Sequence, residues 1–388
     1  MSAPEHPGTD PRTSERYLAR QRRLRGYLAE RDLEAAVLVD LEGSRNPSLR
    51  YLCGHPQDAL LFVFAPGDTL LLPWDVPLAE RHAVVGSVRA FEEYGRSEEA
   101  AIRSILADAA VRSAELPAGL SYPLVESLKA SLPGAELLCR SDGVERRLRQ
   151  WRAVKDEGEQ AALRRACGLT NELVEEIETL LLRSSQDNTE LREVDLALRL
   201  EAKAREGGAE GMGFDTLAAG PQRSFAIHCF PSVTPGSFGG QGFSILDFGV
   251  VVDGYTSDVT LTAVRGPLSG RQEEMLKAVR EAYELAASLC GPGAEPLAVA
   301  RAVDEHLEAR GFCMPHSLGH GIGLEAHEEP VVRSRKAAWS IPAFEPGMVF
   351  TLEPGLYEPG EGGIRLENDF LCTGDGVEVL TAARLVRL

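Results

Sequence analysis

The sequence has no C-x-x-C pair, and its seven cysteines, Cys53, Cys139, Cys167, Cys229, Cys290, Cys313 and Cys372, are odd in number and far apart. A disulfide framework is therefore excluded, and reduced thiols in a reducing compartment, the cytoplasm, are expected. No apolar run approaches the length that spans a bilayer. Residues Met1 to Arg16 carry prolines and charges without an apolar core, so no secretory signal is expected. Basic residues are not in excess: the formal net charge is −18, and a surface of that sign repels phosphate backbones and anionic lipids, so neither nucleic acid nor a membrane is expected as a partner. No repeat at a fixed period and no low-complexity tract is visible.

What is present is ordinary globular composition, 44% hydrophobic and 26% charged over 388 residues. That length exceeds what one core usually serves and implies two domains. After a tail over residues 1–14, expected to be disordered, an amphipathic helix is predicted over Glu15–Leu33. Short apolar strands follow at Ala35–Val39, Leu60–Ala65 and Thr69–Leu72, and helices at Glu98–Ala109 and Tyr122–Ala130. Strands mixed with helices predict an α/β domain over residues 15–151. The polar stretch Ser141–Glu159, interrupted by Leu148, Trp151 and Val154, reads as the junction.

The second domain, residues 152–388, opens with a long helix whose apolar face is Leu163, Cys167, Thr170, Leu173, Val174, Ile177 and Leu181. Thr189 is a candidate N-cap for a helix bearing Leu191, Val194, Leu198 and Ala202. Ser269 and Gln272 form a capping box for another, which ends before Gly291-Pro292. Strands are predicted at Phe243–Val252, Tyr255–Val264, Met348–Leu352 and Ile364–Cys372, which makes this an α+β domain.

Asp253-Gly254 lies between two apolar runs and favours a two-residue hairpin turn, since both central positions need positive φ. In that register Asp247 faces Thr260, and Asp258 points to the same side as Asp247, about 7–8 Å away along a diagonal. Asp247 stands inside Ile245-Leu246-Asp247-Phe248, where an unpaired charge is costly. Glu353 ends Val349-Phe350-Thr351-Leu352, and Glu367 follows Ile364-Arg365-Leu366. An isolated acid is usually a surface residue, but four acids set in apolar strands are more economically explained by cations that neutralise them. His320 lies in His316-Ser317-Leu318-Gly319-His320-Gly321-Ile322-Gly323, where glycines permit close backbone approach and imidazole is a suitable ligand. His228 and His327 come from remote segments.

These segments resemble the metallopeptidase family with the pita-bread fold, the group of methionine aminopeptidase, aminopeptidase P and prolidase. Its ligand order is Asp, Asp, His, Glu, Glu, which Asp247, Asp258, His320, Glu353 and Glu367 match. Asn46-Pro47-Ser48-Leu49-Arg50-Tyr51-Leu52 resembles the amino-terminal domain of the creatinase, prolidase and aminopeptidase P branch. The resemblance implies an α/β creatinase-like N-terminal domain followed by an α+β pita-bread catalytic domain. It implies two divalent metal ions, Mn²⁺ first and Co²⁺ or Zn²⁺ as alternatives, with Asp258 and Glu367 bridging, Asp247 on one ion, and His320 and Glu353 on the other. It also implies His228 and His327 as substrate and transition-state contacts, Glu353 as proton shuttle, His316 orienting ligands from behind, and Arg365 at the substrate site.

The implied substrates are short proline-containing peptides cut at Xaa-Pro, and the implied assembly is a homodimer. Arg333, Arg335 and Lys336 lie where prolidases carry an arginine-bearing stretch that anchors the dipeptide carboxylate, which favours a dipeptidase over an aminopeptidase. One departure is Thr260-Leu261-Thr262, where many members of the branch have Thr-Arg-Thr. Two other functions compete: a metal-free amidinohydrolase of the creatinase type, and a non-catalytic binding protein that keeps the fold.

Overall fold

The computed structural model of the protein describes residues 11–42, 45–335 and 341–388. The chain divides into two compact units, Met1–Trp151 and Arg152–Leu388. No helix among the described residues is long and apolar enough to cross a membrane.

The first unit is a six-stranded mixed sheet, in the order Ser87–Val88, Thr69–Pro73, Ala59–Phe64, Ala35–Asp40, Ser113–Leu116, Glu136–Cys139. Its central strand Ala35–Asp40 is buried on both faces, so it reads as an unbroken apolar run. Helices Glu98–Asp108 and Tyr122–Ser131 contribute Ile102, Ile105 and Leu128 to the core with Val37, Leu60 and Phe62.

One expectation changes here. The first helix spans Pro11–Ala29, so it begins within the expected tail; residues 1–10 lie outside the described ones. The chain divides at Trp151, inside the stretch read as the junction, and that stretch carries regular structure. Val144–Arg152 forms a helix, because Val144, Leu148 and Trp151 recur at i, i+4 and i+7 and give it one apolar stripe. Leu148 is fully buried, and Trp151 meets Tyr27 edge-on at 5.9 Å beneath the guanidinium of Arg23.

In the second unit the long helix Glu157–Asp187 starts at a capping box of Asp156 and Glu159. Its buried face, including Leu163, Leu173, Val174, Ile177 and Leu181, follows the predicted stripe. Helix Gly270–Leu289 has the expected Ser269/Gln272 box. Thr189 is not an N-cap. Leu191–Arg192 instead pairs as a short strand with Ser237–Phe238, and the helix runs Glu193–Glu206 on the face Leu196, Leu200, Ala204, leaving Leu198 62% exposed. The helix Pro296–Glu308 was not foreseen; Pro296 opens it, where a missing N–H costs nothing.

Two sheets carry the site. One has the order Leu385–Arg387, Val259–Arg265, Gly242–Phe248, Leu217–Ala219; the other Glu328–Val332, Gly319–Gly321, Val349–Leu352, Asn368–Cys372, Val377–Val379. Asp253 and Gly254 have φ of 51° and 83°, and the register places Asp247 opposite Thr260. The strands flanking the turn are each interrupted: Val250–Val252 and Tyr255–Thr256 belong to a separate small sheet. The pairing offset is the same on both sides of the break. The last predicted strand is likewise two, Gly362–Arg365 and Asn368–Cys372, with Glu367 between them in a single bridge to Thr260.

Candidate metal centre

The strand Gly319–Gly321 brings in the histidine. A side chain at Gly319 or Gly321 would put a Cβ 2.0 Å from the Thr351 carbonyl or 2.1 Å from that of Glu329; glycine alone lets this strand lie so close. His320 is then fixed by its backbone N–H to Thr351 Oγ1 (3.2 Å) and by Nδ1 to the Gly321 carbonyl (3.2 Å). With Nδ1–H donated to a carbonyl, Nε2 keeps its lone pair and faces Glu353 Oε1 at 3.5 Å and Asp258 Oδ2 at 3.7 Å. Burial pushes the His320 pKa down to about 3, so the ring is neutral and able to coordinate.

Ligand atoms of Asp258, His320 and Glu367 all lie within 4.8 Å of one another. Asp258 is held by its backbone N–H to Asp369 Oδ2 (3.0 Å). Glu367 accepts the Thr260 hydroxyl at 2.7 Å, and its own N–H donates to the Thr260 carbonyl at 3.1 Å. Glu353 is set by its N–H to the Leu318 carbonyl, 2.8 Å. Asp247 gives one oxygen to Arg365, at 2.5 Å, while its Oδ1 is buried without a hydrogen-bond partner.

This carboxylate crowd is electrostatically unstable alone. Burial first, and then mutual repulsion, raise Asp258 and Glu353 well above the usual carboxylate range and Glu367 to about 7. Asp369, fully buried behind Asp258, is also raised, chiefly by burial, and its Oδ1 too lacks a hydrogen-bond partner. Orphaned buried oxygens, packed acids and one neutral imidazole fit oxygen-preferring divalent cations.

The remaining expected residues fall into three places. His327 is exposed, with its ring 4.2 Å from that of His320. His228 is exposed; burial, with the charge of Arg365 next, lowers the pKa of His316 to about 4. His316 bonds Ser317 O through Nδ1 (2.8 Å) and Tyr357 OH through Nε2 (3.1 Å), with Nδ1 3.7 Å from Glu353. Arg333 and Arg335 line a cavity of about 480 Å³ together with His316, Asp304 and Glu308. Arg333 is partly buried and its Nε has no hydrogen-bond partner; Arg335 is exposed. Lys336 lies outside the described residues.

Arg365 is placed differently from the expectation. It is 2% exposed, and Nε, Nη1 and Nη2 donate to Thr260 Oγ1 (2.9 Å), Tyr357 OH (2.7 Å) and Asp247 Oδ2. With most of its bonding capacity spent inside the protein, Ile227 O included at 3.4 Å, it steadies Asp247 and presents little of itself to a substrate. Thr260, Thr351, Tyr357 and Asp369 escaped the sequence reading as site residues. Asp369 was findable, because it sits two residues beyond Glu367 in the apolar Asn368–Cys372 and is one more acid of the kind already singled out. Leu261, at the departure from Thr-Arg-Thr, is fully buried in the core with Leu246 and Val259.

Fold and site together define a two-domain, metal-dependent peptidase. The model of metallopeptidase family M24 matches residues 161–374, and that of the creatinase/prolidase N-terminal domain matches residues 20–151. The chain belongs to family M24, with a creatinase-type domain preceding a pita-bread catalytic domain. It is 31% identical over 265 residues to the Xaa-Pro dipeptidase of Pyrococcus furiosus, covering 68% of this chain and 71% of that one. It is 29% identical over 355 residues to the Xaa-Pro dipeptidase of Pyrococcus horikoshii, covering 89% and 92%. The solved X-Pro aminopeptidase of Thermotoga maritima superposes with a TM-score of 0.77 at 26% identity, covering 95% of this chain and 100% of that one.

Proposed function

We propose that this metallopeptidase hydrolyses the Xaa-Pro bond of short peptides, preferring dipeptides, with two divalent ions held by Asp247, Asp258, His320, Glu353 and Glu367. The observation that carries the reading is the orientation of His320, whose Nε2 lone pair is aimed at the two carboxylates of Asp258 and Glu353. Manganese is the proposed metal, supported by the oxygen-rich ligand set and by the family resemblance. Bound ions of this kind supply a water of lowered pKa and a Lewis acid for the scissile carbonyl.

The chain's own residues do the rest. Glu353, whose carboxyl has a raised pKa, accepts and returns the proton. A bond to proline nitrogen has no N–H, so recognition falls on the flanking groups: His228 and His327 face the carbonyl, where charge develops. Arg333, with its Nε unpartnered beside His316, takes the free carboxylate, a pairing to which a guanidinium is suited. Two curated relatives named Xaa-Pro dipeptidase support this substrate class. The seven free thiols support a cytoplasmic location, and the family resemblance supports a homodimer.

A second reading, an Xaa-Pro aminopeptidase, is favoured by the cavity, whose volume of about 480 Å³ leaves room for residues beyond proline, and by the likeness to the Thermotoga enzyme. The test is activity on Ala-Pro and Ala-Pro-Ala, with and without added Mn²⁺, alongside the metal content of protein purified without it. Metal-independent hydrolysis of a guanidino substrate would replace this reading with the creatinase type. Absence of metal and of any hydrolysis would leave a binding module.

A further inference from the structure

One buried carboxylate belongs neither to the metal centre nor to its immediate supports. Glu193, 1% exposed in the first turn of the helix Glu193–Glu206, receives the Gly220 N–H at 2.7 Å on Oε1. On Oε2 it receives the Thr234 N–H at 2.8 Å, the Thr234 hydroxyl at 2.6 Å and the guanidinium of Arg223. Its own backbone N–H donates to Gly236 O at 2.9 Å. Burying a carboxylate is costly, and it is retained where several donors meet it. A helix-terminal acid ordinarily serves its own helix. Here every side-chain bond goes to another segment, the connection between strands Leu217–Ala219 and Ser237–Phe238, which contains no helix or strand. Connections of that length without regular structure are usually functional.

This connection is fastened a second time, near its middle. Ser224 Oγ accepts the Gly363 N–H at 3.0 Å, and Arg365 Nη1 reaches Ile227 O at 3.4 Å. A Cβ on Gly363 would stand 2.0 Å from Ser224 O, so the loop backbone lies directly on the strand that leads to Glu367. Cys229, buried, donates its thiol to Arg223 O at 2.9 Å. Between these fastenings His228 and the phenyl groups of Phe225 and Phe230 are among the exposed side chains, the last 97% exposed.

We propose that Glu193 is a positioning residue for His228: it closes the base of the 220–236 loop so that the frame shared with Gly363 and Arg365 holds the His228 ring beside the metal centre. This rests on the reading of His228 as a substrate contact. The carboxylate joins both limbs of the loop, at Gly220 and Arg223 on one side and Thr234 on the other, and it also holds the Arg223 guanidinium that crosses to the Pro231 carbonyl. Glutamine in its place presents an NH₂ to donors and loses at least one of the four bonds.

The test uses full-length, Mn²⁺-loaded protein, comparing Glu193→Gln, Thr234→Val, His228→Ala and the Glu193→Gln/His228→Ala double variant. Measurements are kcat and KM on Ala-Pro, metal content, and hydrogen exchange over residues 220–236. Glu193→Gln is expected to keep its metal, to exchange faster across the loop, and to lose about 100-fold in kcat, the cost of a reacting group displaced by an ångström. Thr234→Val, which removes one of the four bonds to the carboxylate together with the bond from the Gly236 N–H to the same hydroxyl, should lose less. The double variant should be no slower than His228→Ala, since a misplaced side chain cannot be lost twice.

Multiplying losses in the double variant, unchanged loop exchange, or metal lost in step with activity would each overturn the proposal. If Glu193→Gln does not fold, Thr234→Val combined with His228→Ala decides by the same comparison. Wild-type kinetics in His228→Ala would overturn the catalytic half together with the reading of His228. Loop exchange in Glu193→Gln would then show separately whether Glu193 closes the loop.

Discussion

The Arg365 guanidinium lies 2.5 Å from Asp247 Oδ2 and is the hub on which the centre turns. Through Thr260 it reaches Glu367, and through Tyr357 it reaches His316. One planar cation thus orients an aspartate directly and a glutamate and a histidine each through one hydroxyl. Lysine offers a point charge without the fork. Arg365→Lys is therefore expected to lower kcat/KM by about 100-fold and to weaken metal binding measured by calorimetry. Near-wild-type values for both would remove Arg365 from this role.

Asp258→Ala and Glu367→Ala take away the acids nearest the centre of the cluster. Each is expected to abolish hydrolysis of Ala-Pro and to lower bound metal per chain, with circular dichroism showing a folded protein. Full activity at wild-type metal content in either variant contradicts the dinuclear assignment.

Metal removal should reverse the pH dependence of stability. In the metal-free fold Glu367 has its pKa raised from 4.5 to about 7, and Asp258 and Glu353 are also raised. The folded state then holds more protons than the unfolded one. This contribution to stability is complete below about pH 4.5 and disappears as pH rises through about 7. Melting temperatures of chelator-treated protein are expected to fall over that interval relative to Mn²⁺-loaded protein. A constant gap between the two would contradict the electrostatic account.

Arg333→Ala should raise KM for Ala-Pro while sparing Ala-Pro-NH₂, which has no carboxylate to bind. If the wild type cleaves Ala-Pro and a pentapeptide with proline second equally well, the dipeptidase preference is lost and the aminopeptidase remains.

His327→Ala should reduce turnover more than metal content, since its ring lies against His320 and is not among the ligand atoms that converge. Parallel loss of both would make it a ligand or a fold determinant.

The Asp253-Gly254 dipeptide is enough to read the Asp247–Thr260 register, because a two-residue turn leaves one pairing. Acids inside apolar strands are legible for a similar reason: burial without neutralisation is too costly. The kink that frees Glu367 from its strand is not read, although the alternation of Ile364-Arg365-Leu366-Glu367 stops at the polar run Glu367-Asn368-Asp369, just where the strand breaks. Nor is the role of Arg365, whose partners at 247, 260 and 357 meet only in three dimensions. The Thr189 misreading is instructive. A capping residue before apolar spacing looks like a helix start, yet pairing with Ser237–Phe238, remote in sequence, claims Leu191 and Arg192 for a strand.

The residues assembled at the centre come from chain positions 247 to 367, and Glu367 is placed only when Thr260 accepts it across a single bridge. While the protein is being synthesised, the early aspartates are made long before their partners, and a nascent chain that ends ahead of Glu367 offers a passing cation only a loose, incomplete set of oxygens. Cation choice is therefore deferred until the carboxy-terminal strands have docked and the acids stand together with His320. The metal in the finished enzyme then reflects the ions available around the completed chain, not those met by the emerging one.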